Sequence, residues 1–154
     1  MRYANGDKYT GSYRYNQKHG QGVRINADGS TYTGMYKHDK PDGFGHYVWN
    51  TGEEYKGNWK QGTFHGEGKK SSADGTYYDG EWRDGLPHGR GECKYLDESR
   101  YVGQWRDGQP HGMGTKTSTD GTKYTGEWED GAATGKGTKE LPNKTVFEGD
   151  WKDS

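Results

Sequence analysis

The chain has 154 residues, about one ordinary domain by length, yet only 25% are hydrophobic and just three are leucine, against 29% charged. That composition excludes a conventional two-layer aliphatic core, and the balance of 22 basic against 23 acidic residues lacks the basic footprint of a nucleic-acid binder. No apolar run approaches the roughly 20 residues of a membrane-spanning helix, and Cys93, the single cysteine, permits no internal disulfide, which suits a cytoplasmic setting.

Polarity of this degree usually signals disorder. The aromatics argue otherwise, because they are 14% of the chain and strictly periodic. Met1 to Gly6 reads as the closing half of a repeat unit, with Tyr3 matching Trp49 and Tyr95, and Gly6 matching Gly29. An aromatic-x-Gly-x-aromatic pentad then begins at Tyr9 and recurs at Tyr32, Tyr55, Tyr78, Tyr101, Tyr124 and Phe147, every 23 residues without insertion. A fixed period in this range marks a repeat array whose units pack on their neighbours. One array is therefore expected over residues 1–154: six complete units starting at 9, 32, 55, 78, 101 and 124, with partial units at 1–8 and 147–154.

Counting the first aromatic of each unit as position 0, position 2 is Gly in every copy, from Gly11 to Gly149. Position 4 is Tyr13, Tyr36, Trp59, Trp82, Trp105, Trp128 and Trp151. Positions 0, 2 and 4 share one face of a strand. Turn signals follow at Asp84-Gly85, Asp107-Gly108 and Asp130-Gly131, and again at the unit boundary in Asp28-Gly29, Asp74-Gly75 and Asp120-Gly121. Two turns per unit leave room for two short strands, a β-hairpin. Positions 11 and 13 are Gly in all six complete units, and position 20 is Gly except at Glu98 and Lys144. Rings lying over cross-strand glycines would supply the volume that glycine lacks. The expected fold is all-β: an open, elongated solenoid of antiparallel hairpins forming a single twisted meander sheet. At roughly 10 Å per hairpin it would be a ribbon on the order of 60 Å long.

The succession Tyr-x-Gly-x-Trp, Asp-Gly, His-Gly-x-Gly and Asp-Gly-Thr, clearest from Tyr78 to Gly91, resembles the membrane occupation and recognition nexus (MORN) repeat. The resemblance extends over residues 3–152, with Asp42 and Thr134 standing where the repeat has His. It implies an open hairpin solenoid serving as an interaction scaffold, in cytoskeletal and junctional proteins or as an accessory region of a lipid kinase or methyltransferase. It also implies membrane association linked to phosphoinositides.

Histidines recur at position 10 (His19, His65, His88, His111), but equivalent positions on neighbouring hairpins lie roughly 10 Å apart. Zinc ligands must all lie within about 2.3 Å of one ion, so these read as turn residues, and no metal or cofactor is expected. The Gly-x-Gly lacks the third glycine and helix of a dinucleotide fingerprint, and neither a phosphate loop nor a nucleophile elbow occurs. The chain is not expected to be an enzyme.

Four surfaces are candidates. Tyr55, Trp59, Tyr78, Trp82, Tyr101, Trp105, Tyr124 and Trp128 read as core or as a partly open groove for protein partners. A basic row at position 5 (Arg14, Lys37, Lys60, Arg83, Arg106, Lys152), broken only by Glu129 and with Lys37, Lys60, Arg83 and Arg106 foremost, could meet anionic headgroups or form cross-strand ion pairs. A second basic row at position 15 comprises Arg24, Lys70, Lys116 and Lys139. Both ends interrupt a repeat, which suggests a segment of a longer array and homodimerisation through Phe147 and Trp151 in the final unit. The expected role is a non-enzymatic scaffold in the cytoplasm, associated with the cytoskeleton or a membrane–cytoskeleton junction. Peripheral binding of anionic phospholipid and service as a regulatory arm of a larger lipid kinase or methyltransferase are the alternatives.

Overall fold

The structure, a computed structural model, describes residues 1–152. Every 23-residue unit is a hairpin: a seven-residue strand bearing the pentad, then a nine-residue strand bearing Gly-x-Gly. In chain order the strands are β1 (Lys8–Arg14), β2 (Gln17–Ile25), β3 (Thr31–Lys37), β4 (Lys40–Val48), β5 (Glu54–Lys60), β6 (Thr63–Ser71), β7 (Tyr77–Arg83), β8 (Leu86–Lys94), β9 (Arg100–Arg106), β10 (Gln109–Thr117), β11 (Lys123–Glu129), β12 (Ala132–Glu140) and β13 (Val146–Lys152). They form one 13-stranded antiparallel meander in sequence order, open rather than closed into a barrel. By compactness the chain divides into two units, Met1–Ala73 with β1–β6 and the remainder from Asp74 with β7–β13.

Within each hairpin a two-residue turn occupies positions 6 and 7, both with positive φ, as at Asp84 (49°) and Gly85 (85°) or Tyr15 (50°) and Asn16 (63°). These are type I′ turns, whose backbone twist matches the right-handed twist of the strands. At the unit boundary the chain turns more widely. Gly29 donates to the Asn26 carbonyl, Asn26 donates back to Ser30, and the Asp28 carboxylate accepts from the Ser30 amide at 2.8 Å. The same carboxylate-to-amide clasp recurs at Asp74/Thr76, Asp97/Ser99 and Asp120/Thr122. Glu98 and Lys144, which replace the boundary glycine, still take positive φ, at 74° and 71°.

The core is one face of the sheet. Glycines of positions 2 and 13 stand opposite each other across each hairpin, as in Gly34↔Gly45, Gly80↔Gly91 and Gly103↔Gly114. The position-0 tyrosine lies flat over the position-13 glycine, so that a Cβ at Gly45, Gly91 or Gly114 would collide with its ring. Bare backbone lets the ring descend onto the sheet, and Tyr9, Tyr32, Tyr55 and Tyr101 are completely buried.

The two glycines of Gly-x-Gly do different work. Position 13 is the bed of the ring. Position 11 takes positive φ, 87° at Gly89 and 86° at Gly112, beside the register shift that breaks each hairpin's ladder. The position-3 side chain bridges this bulge: Gln104 accepts from the Met113 amide at 2.9 Å, and Glu81 accepts from the Arg90 amide.

Candidate functional site

The aromatic face is built by a repeating set of polar and ring contacts. Five of the six position-0 tyrosines donate the hydroxyl to the position-3 carbonyl, Tyr9 to Ser12, Tyr32 to Met35, Tyr55 to Asn58, Tyr78 to Glu81 and Tyr101 to Gln104, at 2.7–2.8 Å. The Tyr124 hydroxyl is instead buried without a hydrogen-bond partner among the described residues. The position-4 tryptophan reaches backwards. Its indole N–H donates to the position-13 glycine carbonyl of the preceding hairpin, Trp59 to Gly45, Trp105 to Gly91, Trp128 to Gly114 and Trp151 to Gly137. Rings alternate edge to face, within a hairpin (Tyr78–Trp82 4.9 Å, Tyr101–Trp105 5.2 Å) and between hairpins (Tyr32–Trp59 5.5 Å, Tyr78–Trp105 5.0 Å, Tyr101–Trp128 5.2 Å). Such T-shaped pairs suit the ring quadrupole.

The eight aromatics singled out in the sequence all stand on this face. Seven of them, Tyr55, Trp59, Tyr78, Trp82, Tyr101, Trp105 and Trp128, expose at most 7% of their surface, and Tyr124 is half-buried. What meets solvent beside them is a rim of position-15 and position-17 side chains. Lys70 stands over Trp49 and Phe64 at 5.5 and 5.8 Å, Lys116 over Tyr95 at 5.3 Å and Lys139 over Trp151 at 5.9 Å, so this basic row belongs to the aromatic face through cation–π contacts. A cavity of about 300 Å³ opens between Lys116, Ser118, Tyr124, Trp128, Lys139 and Trp151.

Lys37, Lys60, Arg83 and Arg106 are exposed at the hairpin ends, flanking the two-residue turns. Among the described residues no carboxylate lies within ion-pair distance of any of the four, so cross-strand pairing is not what holds them; the Lys152 side chain lies outside the described residues. Phe147 is 51% exposed, whereas Trp151 is half-buried against Tyr124 at 5.4 Å. The position-10 histidines sit in the second strand of each hairpin, not in the turn that their spacing suggested. His88 and His111 approach the turn aspartates of the following hairpin, Asp107 and Asp130, at 4.0 and 3.9 Å.

Six consecutive segments, residues 9–31, 32–54, 55–77, 78–100, 101–123 and 124–146, match the MORN repeat family. The chain belongs to the MORN-repeat family. No curated protein matches it. Among solved structures it is similar to the TCP domain of SAS-4 (dCPAP) of Drosophila melanogaster, solved in complex with a proline-rich motif of Ana2 (dSTIL). That match has 13% identity and a TM-score of 0.59, and covers 96% of this chain and 80% of that one. Identity at this level speaks to the fold alone.

Electrostatics of the MORN units follow from packing. Burial pushes the phenols of Tyr32, Tyr36, Tyr55, Tyr78 and Tyr95 well above the ordinary tyrosine range, and that of Tyr101 to about 12. The boundary carboxylates move the other way. Hydroxyls of Ser30, Thr76 and Ser99 hold Asp28, Asp74 and Asp97 below the usual carboxylate range, and the Thr122 amide does so for Asp120. Asp7 is lowered chiefly by Arg24, whose guanidinium lies 2.6 Å from it.

Sequence reasoning passed over position 9, which packs opposite the position-4 ring: Pro41 opposite Tyr36, Phe64 opposite Trp59, Pro87 opposite Trp82 and Pro110 opposite Trp105. Three prolines at one position of the repeat were the available signal. At position 17 the match of Tyr3, Trp49 and Tyr95 marks only repeat phase in the sequence, and the structure adds that Trp49 and Tyr95 bring rings to the face.

Proposed function

We propose that this MORN array is a non-catalytic scaffold that binds protein segments laid along its aromatic face, in the cytoplasm at the cytoskeleton or a membrane–cytoskeleton junction. The observation that carries this reading is the rim: Lys70, Lys116 and Lys139 repeat a cation over an aromatic ring, the pairing that recognises extended peptides carrying rings and carboxylates. The fold likeness to a domain solved with a proline-rich motif supports it, since such segments dock on aromatic surfaces. The eight core aromatics form the floor of this surface, and their edges rather than their faces meet a partner.

Lysine-directed cross-linking of the protein purified with its native partner tests the reading. Cross-links are expected at Lys70, Lys116 and Lys139, which share the aromatic face. A set confined to Lys56, Lys69 and Lys136, on the opposite face, contradicts it. Self-association through the final strand belongs to the same reading and is supported by exposed Phe147; light scattering giving a monomer at high micromolar concentration removes it.

A second reading is favoured by the row of Lys37, Lys60, Arg83 and Arg106, none of which has a carboxylate within ion-pair distance among the described residues. Cations of this kind contribute about 1 kcal/mol each near an acidic leaflet. Flotation with vesicles rich in anionic phospholipid is expected to be salt-sensitive and to be lost when Lys60, Arg83 and Arg106 become Glu. Flotation unchanged by those substitutions ends this reading.

A further inference from the structure

Position 17 of the repeat holds a ring in two complete units and a serine in two others, Ser72 and Ser118. In the second unit it is Trp49, whose ring lies 4.5 Å from Tyr47 and 6.0 Å from Phe64, with the Lys70 ammonium at 5.5 Å. In the fourth it is Tyr95, capped by Lys116 at 5.3 Å. In the fifth it is Ser118, and here the face opens into the cavity of about 300 Å³. The walls remain those of an aromatic site. Tyr124 and Trp128 meet edge to face at 5.4 Å and 82°, Trp151 closes on Tyr124 at 5.4 Å and 80°, and Lys116 and Lys139 stand at the mouth.

We propose that this cavity is a socket for an aromatic side chain of a partner protein, carried on an extended acidic segment. The proposal rests on the reading of the array as a protein-binding scaffold and states what one place on it takes. The chain's own sequence provides the precedent: the same position, filled from within, takes an indole at Trp49 and a phenol at Tyr95, each beneath a position-15 lysine of the next unit. Where Ser118 leaves that place open, an aromatic from outside restores the packing and gives up its own apolar surface to the floor of rings.

Charge selects the flanks of the segment. Among the described residues neither Lys116 nor Lys139 has a carboxylate within ion-pair distance. Asp120 and Thr122 also line the cavity, and the Asp120 carboxylate accepts from the Thr122 amide at 2.8 Å within its own boundary turn, so two lysines stand against one carboxylate in the balance of charge. The mouth therefore presents two ammonium groups that stand over rings without an ion-pair partner, beside a ring-sized hole, which favours an aromatic preceded or followed by Asp or Glu. A basic segment would meet like charge on docking.

The test uses the isotopically labelled chain and four short synthetic peptides: an acidic one with a single tryptophan, the same with alanine in its place, the same with proline in its place, and a basic version retaining the tryptophan. The acidic tryptophan peptide is expected to shift the indole N–H signals of Trp128 and Trp151 and the Ser118 amide. It should bind about tenfold or more tighter than the other three, the size expected of one buried aromatic anchor. Ser118→Trp fills the socket from within, as Trp49 does, and should abolish those shifts without lowering the melting temperature. Should that variant fold poorly, the pair Lys116→Glu and Lys139→Glu, both on the rim, must instead transfer the preference to the basic peptide. Undiminished binding to folded Ser118→Trp overturns the socket, as does equal affinity for the proline peptide. Shifts confined to residues outside the cavity also overturn it while leaving the scaffold reading intact, and cross-links confined to the opposite face would remove the scaffold reading itself.

Discussion

A methyl group added at Gly103 would collide with the Cα of Gly114 and approach the Met113 carbonyl, backbone atoms that no rotamer change can move aside. The paired glycines of positions 2 and 13 are therefore a steric requirement of the ring bed. Gly103→Ala is expected to cost about 3 kcal/mol, at the upper end for an overpacked core. Gly149, the same position of the repeat in β13, has nothing within 4 Å of an added Cβ, and its substitution by alanine should leave stability nearly unchanged. Urea denaturation of the two variants side by side checks the contrast, and equal losses would refute it. At Glu98 the reasoning runs in reverse, because a residue with a Cβ is held at φ 74°. Glycine there removes a left-handed penalty of about 1 kcal/mol. The change also gives up the Glu98–Lys94 ion pair at 2.8 Å, exposed enough to be worth only a few tenths of a kcal/mol. Glu98→Gly should thus stabilise the chain by about 0.5 kcal/mol, read as a higher urea midpoint.

At the scale of the element, the hairpin carries its own core but borrows its fixing from the hairpin before it. Trp105 makes the point: its indole N–H donates to Gly91 at 3.0 Å while its ring abuts Tyr78 at 5.0 Å, both in the preceding hairpin. Trp105→Phe keeps most of the ring and loses the donor, leaving a buried carbonyl unpaired. A loss of about 1–2 kcal/mol is expected, and amide exchange should quicken along the β8–β9 ladder. Exchange rates unchanged there would assign the tryptophan a purely packing role. Much of this element was legible in the sequence, because period-2 aromatics and Asp-Gly pairs are direct readouts of strand faces and type I′ turns. The bulge at position 11 was not, since a bulge has no hydrophobic signature and its glycine reads the same as the one beneath the ring. For the same reason His88 and His111 were read as turn residues, although the chain around the bulge keeps them in strand. Position 17 was obscured by its irregularity: Asn26, Trp49, Ser72, Tyr95, Ser118 and Leu141 share no property, and only the packed face shows that two are rings filling a place that Ser118 leaves open.

At the scale of the whole molecule, pH acts on a core of phenols where most proteins have aliphatics. A tyrosine whose folded pKa is raised above its unfolded value near 10 stabilises the fold fully below that value, and the contribution is lost as pH rises through the folded one. Tyr32, Tyr55 and Tyr78 are raised by burial in this sense, and Tyr101 reaches about 12. The native array should hold its tyrosines neutral past pH 10 and then unfold as they ionise, near pH 11–12. Tyrosinate absorbance of the core phenols and circular dichroism should change together. Core phenols that ionised near pH 10 with the sheet intact would mean that the rings do not lie shut over the glycine bed. On the acid side the sign reverses. Asp28, Asp74, Asp97 and Asp120 are depressed, so their contribution is fully present above the ordinary carboxylate value and is lost as pH falls from there through their lower folded values. Because these carboxylates clasp boundary turns and not the ring bed, acid should loosen the turns first. Amide exchange at Thr76, Ser99 and Thr122 is expected to rise below about pH 4 while Trp105 and Trp128 keep their buried fluorescence. Simultaneous loss of both signals would show that turn and ring bed melt as one.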